Sequence, residues 1–168
     1  FIVMAPSDES ELVKMINTSM NINDKPSAIR YPRGNGIGLE LPSIDENIEI
    51  GKGRIIQEGK QVCILSIGTR LEECKIAAEE LKNKGIQSTI VDARFAKPLD
   101  QELILKCARE HEIIITVEEG SIGGFGSHVE KLLSEKGLFD KGLKFRSMTL
   151  PDIFIEQDNP KKMYDVAG

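Results

Sequence analysis

Two periods of apolar residues alternate along this chain, and the switches between them mark its elements. Val62-Cys63-Ile64-Leu65 and Ile113-Ile114-Ile115 carry no polar alternation, the mark of strands covered on both faces by helices. Phe1-Ile2-Val3-Met4-Ala5 is another strand-like run. Elsewhere apolar residues return every three or four positions: Leu12, Val13, Met15, Ile16 and Met20 give one face of a helix. Ser7 is its expected cap, and Asp8, Glu9 and Glu11 suit its positive end. That helix is predicted to run to about Asn23, and Pro26 to Tyr31 then returns as an extended run. Residues 1–31 therefore read as a strand-helix-strand unit with a parallel crossover.

Residues 32–50, rich in Pro, Gly, Asn and acids, interrupt the pattern and predict a connector turning at Gly34, Gly36 and Gly38. Beyond it, strands are expected near 53–57, 61–67, 88–91, 113–117 and 143–148, with helices at about 71–84, 100–111 and 124–135. This alternation predicts an α/β fold with a doubly wound, mostly parallel sheet. The expected division is residues 1–35, a linker 36–49, and a domain 50–168. Two strands are too few to stand alone, so the first unit reads as the end of a second α/β domain, and the chain as a piece of a larger protein.

Composition narrows the function. With 40% hydrophobic residues in 168, the chain can bury a core and is not disordered. Lys and Arg number 22 against 27 acids, a net charge of -5 that offers no attraction to nucleic acid or an anionic membrane. Cys63, Cys74 and Cys107 lie apart with no CxxC spacing, which suggests neither a disulfide framework nor a zinc site and suits a reducing compartment. No apolar run approaches the roughly 18 residues a bilayer span requires, and no leader-like segment opens the chain, so a cytoplasmic protein is expected.

In a doubly wound sheet, functional loops gather at the carboxyl ends of the strands. Here they are Gly68-Thr69-Arg70, Asp92-Ala93-Arg94, Glu118 to Gly126, and Pro151-Asp152. Backbone N–H groups of the third can hold an anion. Its spacing fits neither GxGxxG nor GxxxxGK[ST], Glu118 and Glu119 would repel a phosphate, and the same glycines suit a tight turn and close helix packing. Arg33 lies between the strand-breaking Pro32 and Gly34, where a guanidinium can take a phosphate with two prongs; a solvated charge or a domain-joining salt bridge is the alternative. Arg30 is read as lying inside the strand. His111 closes a helix, where the dipole favours a cation, and His128 follows the glycine loop, either facing the crevice or in a packing or interface role. Asp92, Glu118, Glu119 and Asp152 are candidate bases or metal ligands, but their spacing specifies neither.

Arg30-Tyr31-Pro32-Arg33-Gly34-Asn35-Gly36, Ile50-Gly51-Lys52-Gly53, the segment Asp92 to Asp100 and the segment Thr116 to His128 together resemble the 1-deoxy-D-xylulose-5-phosphate synthase family. The Pro-Leu-Asp and Val-Glu-Glu-Gly segments are shared with the wider thiamine-diphosphate family that includes transketolases and pyruvate dehydrogenase beta subunits. The resemblance implies that residues 1–35 end a pyrimidine-binding domain and that 50–168 form a C-terminal transketolase-type domain. It implies a homodimeric transferase that joins pyruvate and D-glyceraldehyde 3-phosphate, releases carbon dioxide, and serves isoprenoid, thiamine and pyridoxal synthesis with thiamine diphosphate and Mg2+. It places Arg33 on the phosphate of the aldehyde acceptor, and it names no catalytic, cofactor-binding or metal-binding residue in this stretch. The chain alone is then expected to be inactive and to hold no cofactor. A self-standing structural or dimerisation domain, or a beta-type subunit of another thiamine-diphosphate enzyme, are the competing expectations.

Overall fold

The chain, described over residues 1–167 by a computed structural model, forms two sheets. Strands β3 (Arg54–Gln57), β4 (Val62–Ile67), β5 (Ser88–Asp92), β7 (Ile113–Glu118) and β8 (Lys144–Met148) make a five-stranded sheet in the order β3-β5-β4-β7-β8. The β5, β4, β7 and β8 neighbours are parallel, and edge strand β3 runs antiparallel to β5. Every residue of β4 is buried. Its alternation explains the unbroken apolar run: Val62 and Ile64 pack with Leu71, Cys74 and Ala78 of α2 (Leu71–Asn83). Cys63, Leu65 and Ile67 face the opposite cluster, with Ile104 and Cys107 of α3 (Gln101–Glu110) and Val129 and Leu133 of α4 (Phe125–Glu135). The sheet is therefore doubly wound, as expected. Because β5 and β7 flank β4 on opposite sides, the strand order reverses between β4 and β7, where such folds open a crevice.

The second sheet has the order β2-β1-β6, with β1 (Ile2–Met4) parallel to β2 (Ser27–Ile29) and antiparallel to β6 (Phe95–Lys97). Helix α1 (Glu9–Met20) makes the crossover between β1 and β2. Strand β6 carries no sequence signal of its own: it is three residues long, and its partner lies some ninety positions earlier. It joins the N-terminal unit to the later one, with Phe95 fully buried among Ile2, Met4 and Met15. The cap of α1 is Asp8, not Ser7: Asp8 Oδ1 accepts the Glu11 N–H at 2.8 Å, while Ser7 Oγ donates to Asp8 and Asp92. The helix ends at Met20, short of Asn23. Two further elements escape the periodicity, a 3-10 turn Phe139–Lys141 and α5 (Pro160–Ala167). Among the described residues no helix is long and apolar enough to cross a membrane.

Burial sets the order of local stability. Strand β7 is paired on both sides over five or six residues, whereas β1 pairs over three residues with β2 and two with β6. Amide hydrogen exchange is expected to be slower in Ile113 to Val117 than in Ile2 to Ala5. The reverse order would mean that the larger sheet is not the more stable unit.

Candidate functional site

Where β2 ends, the following loop meets the N-terminus of α1, the first turn of α2 and one face of α5, enclosing a groove of about 890 Å3. Three cations line it: Arg33, Arg70 and Lys75. Arg70 is ion-paired with Glu73 Oε1 at 3.1 Å, and its Nε lies 3.0 Å from Glu119 Oε1 at an angle that makes an ion pair but no hydrogen bond. Its guanidinium also stacks 4.2 Å over the Tyr164 ring. Lys75 pairs with Glu72 at 3.0 Å. Arg33 is exposed, and among the described residues no acid lies within ion-pair distance of it. The groove thus presents one uncommitted guanidinium.

The acids of the strand-end loops are committed in the same way. Glu119 accepts from Thr69 Oγ1 at 2.9 Å and from the Tyr164 hydroxyl, whose pKa burial and that carboxylate push up to about 12. Asp152 is exposed and accepts from Ser121 Oγ at 3.3 Å.

Glu118 settles what the glycine loop does. Its buried carboxylate accepts the backbone N–H groups of Phe125 at 3.0 Å and Gly126 at 2.8 Å, the first amides of α4. The anion at this helix N-terminus is the chain's own side chain, and the favourable dipole that would attract a phosphate is already used. A β-carbon on Gly120 or Gly124 would strike the Glu118 carboxylate, so these glycines make room for it. Charge-assisted hydrogen bonds of this kind are worth about 1.5–3 kcal/mol. Glu118→Ala is expected to lower the melting temperature by about 3–12 °C, at 2–4 °C per kcal/mol for a chain of this size. Calorimetry checks it, and an unchanged midpoint would show that the contact is incidental.

A second cluster fastens the N-terminal unit to the larger sheet. Arg94 grips Glu11 with two prongs, Nε to Oε2 at 2.7 Å and Nη2 to Oε1 at 3.0 Å. Arg54 reaches Glu11 Oε1 at 3.1 Å and Asp92 Oδ2 at 3.0 Å. Glu11 and Asp92 are both almost completely buried. Burial pushes the Asp92 carboxyl above its ordinary range despite Arg54 beside it. Asp92 and Arg94 are therefore structural, and neither faces the groove.

His111 is buried at the end of α3: Nδ1 lies 2.8 Å from the Cys107 carbonyl oxygen and Nε2 lies 2.7 Å from Thr89 Oγ1. His128 is exposed on the first turn of α4. It lines a smaller cavity of about 400 Å3 with Arg30, Lys97 and Ser121, at the β4–β7 crevice. Arg30 stands one residue past β2 and not within it, its guanidinium 3.6 Å from where β-carbons on Gly68 and Gly120 would stand. The three cysteines are free and buried.

Sequence reasoning singled out Arg33, read Glu9 and Glu11 only as helix-start acids, and did not single out Tyr164. Glu9 and Tyr164 line the groove, and their hydrogen-bond partners lie 28–45 residues away, beyond any local pattern. Glu11 meets Arg94 across 83 residues. Among the described residues no group of three His, Cys, Asp or Glu is placed to hold a metal ion. With the glycine-loop amides also taken by Glu118, these residues do not fit a metal-bound diphosphate.

Residues 51–168 match the family model for the transketolase C-terminal domain. A split-gene transketolase, solved as an inactive beta4 tetramer, is 29% identical with a TM-score of 0.83, the match covering 99% of this chain and 53% of that one. A transketolase mutant from Pichia stipitis is 15% identical with a TM-score of 0.70, covering 98% and 22%. Transketolase from Campylobacter jejuni subsp. jejuni is 16% identical with a TM-score of 0.60, covering 100% and 24%. At those identities the last two show the fold alone, and this chain spans about half the length of the split-gene chain it matches. The doubly wound sheet, its topology and the family match over residues 51–168 together establish that this chain belongs to the transketolase C-terminal domain family.

Proposed function

We propose that this chain is the C-terminal part of a thiamine-diphosphate-dependent transferase of the 1-deoxy-D-xylulose-5-phosphate synthase type, with Arg33 binding the phosphate of the aldehyde acceptor. The observation that carries the reading is the groove's one unpaired guanidinium, set in the Arg30-Tyr31-Pro32-Arg33-Gly34-Asn35-Gly36 segment that resembles that family. A planar fork matches a phosphate dianion, and Arg70, Asp92, Arg94, Glu118 and Glu119 in the loops after β4, β5 and β7 each have an ionic or backbone partner. In this reading residues 1–35 close a pyrimidine-binding domain, 36–49 link, and 50–168 form the C-terminal domain. Pyruvate and D-glyceraldehyde 3-phosphate, three carbons each, give a five-carbon ketose phosphate and carbon dioxide.

Thiamine diphosphate and Mg2+ belong to the complete homodimeric enzyme. The residues of this chain do not fit them, so no step runs through the cofactor on this chain. Its own share is to bind and orient the acceptor, and the chain alone is proposed to be inactive.

A second reading, a subunit of a split transketolase, is favoured by the 29% identity and near-complete coverage of this chain. Donor choice separates the two. The complete enzyme is expected to consume pyruvate with D-glyceraldehyde 3-phosphate and to release one carbon dioxide per ketose phosphate formed. Two-carbon transfer from a ketose phosphate, with no gas released, would establish the transketolase reading instead.

A further inference from the structure

The loop that carries Arg33 has no regular structure, so its position must be held by something outside it. Between the Arg30 N–H, which donates to the Met4 carbonyl at 2.9 Å, and the turn at Ser43 to Glu46, one side chain supplies all the hydrogen bonds this stretch makes among the described residues. That side chain is Glu9. Its Oε2 accepts the Ile37 N–H at 3.1 Å, and its Oε1 accepts those of Gly38 at 2.6 Å and Leu39 at 2.8 Å. Three successive amides converge on one carboxylate, a nest of the kind that holds anions.

The loop is shaped to receive it. A β-carbon on Gly36 would stand 2.6 Å from Glu9 Oε1, and Gly38 takes a φ of +89° that disfavours a side chain. The other end of the tether is firm, because Glu9 is the first residue of α1, capped by Asp8 and anchored by the fully buried Met15. Its own backbone amide, and those of Leu39, Ile37 and Gly38, hold the carboxyl at about 2, so the tether is charged at neutral pH.

We propose that Glu9 is a positioning residue for Arg33: by gripping the amides of residues 37–39 it closes the loop onto α1 and fixes the guanidinium over the groove. This rests on the reading of Arg33 as the acceptor-phosphate residue. Only six residues, 31–36, lie between the Arg30 and Ile37 anchors, so Arg33 near their middle has little freedom left to lose when a phosphate binds. Freed at one end, Arg33 would have to be ordered at each binding event.

The test compares Glu9→Ala, Glu9→Gln, Arg33→Ala and the double variant in the complete enzyme, with D-glyceraldehyde 3-phosphate and unphosphorylated D-glyceraldehyde as acceptors. Amide exchange at 37–39 is measured in parallel. Glu9→Ala is expected to speed that exchange and to raise KM for the phosphorylated acceptor by about tenfold, with kcat and the use of the unphosphorylated acceptor nearly unchanged. Glu9→Gln, which keeps one acceptor oxygen, is expected to fall between. The double variant is expected to be no worse than Arg33→Ala alone. Faster exchange with an unchanged KM, equal impairment of both acceptors, or additive losses in the double variant would each overturn the positioning role while leaving Arg33 in place. If Arg33→Ala itself fails to distinguish the two acceptors, Arg33 is not the phosphate residue, and the positioning role of Glu9 falls with it.

Discussion

Arg33→Ala in the complete enzyme is expected to lower kcat/KM for D-glyceraldehyde 3-phosphate by about tenfold to a hundredfold. Hydrogen bonds between a guanidinium and a phosphate contribute roughly 1.5–3 kcal/mol, and each 1.4 kcal/mol is a factor of about ten. Lys keeps the charge without the fork, so Arg33→Lys should lose less. The groove offers no substitute, since Arg70 and Lys75 are held by Glu73, Glu119 and Glu72. Steady-state kinetics with D-glyceraldehyde supply the control, because an acceptor without a phosphate has nothing to lose at this position. Equal loss for both aldehydes would make Arg33 a support of the domain junction.

Arg94→Ala is expected to cost about 3–5 kcal/mol of stability, more than Glu118→Ala, because that is the range for stripping one partner from a buried ion pair. It would leave Glu11, whose side chain is 1% exposed, with only Arg54 at 3.1 Å and Lys14 at 3.9 Å. The nearby Asp92 would also lose one of the two arginines that oppose its burial. Its pKa, already raised in the folded state, would rise further. A carboxyl that binds its proton more tightly folded than unfolded gives stability that grows as pH falls through the folded value toward the unfolded one, near about 4. The stability deficit of Arg94→Ala should therefore narrow in acid. Urea unfolding at neutral pH and near pH ~5 measures both effects. A deficit below about 1 kcal/mol, or one that widens in acid, would mean that the cluster is not what joins the two sheets.

The parallel core was readable because its signal is local. Val62 to Leu65 and Ile113 to Ile115 are unbroken by polar residues because α2 covers one face of the sheet and α3 and α4 the other. Strand β6 was not readable, since Phe95 to Lys97 become a strand only against Val3 and Met4. The acids show the same limit. Glu118, Glu119 and Asp92 look alike in sequence as candidate bases, yet one caps α4, one pairs with Arg70 and Tyr164, and one is buried under Arg54. Arg33 could be proposed from sequence because Pro32 and Gly34 bracket it locally, whereas the Glu9 tether depends on a contact across 28–30 residues.

Glu118 fills the N-terminus of α4 with the chain's own carboxylate, and the Arg33 loop is the place proposed here to bind a phosphate. A heteronuclear NMR titration of the chain with inorganic phosphate tests this most directly. The predicted result is a set of saturable shifts at the Arg33 side-chain N–H groups and the backbone amides of 34–36, with the amides of Gly120 to Gly126 unmoved. Shifts centred on Gly120 to Gly126, with Arg33 silent, would contradict it.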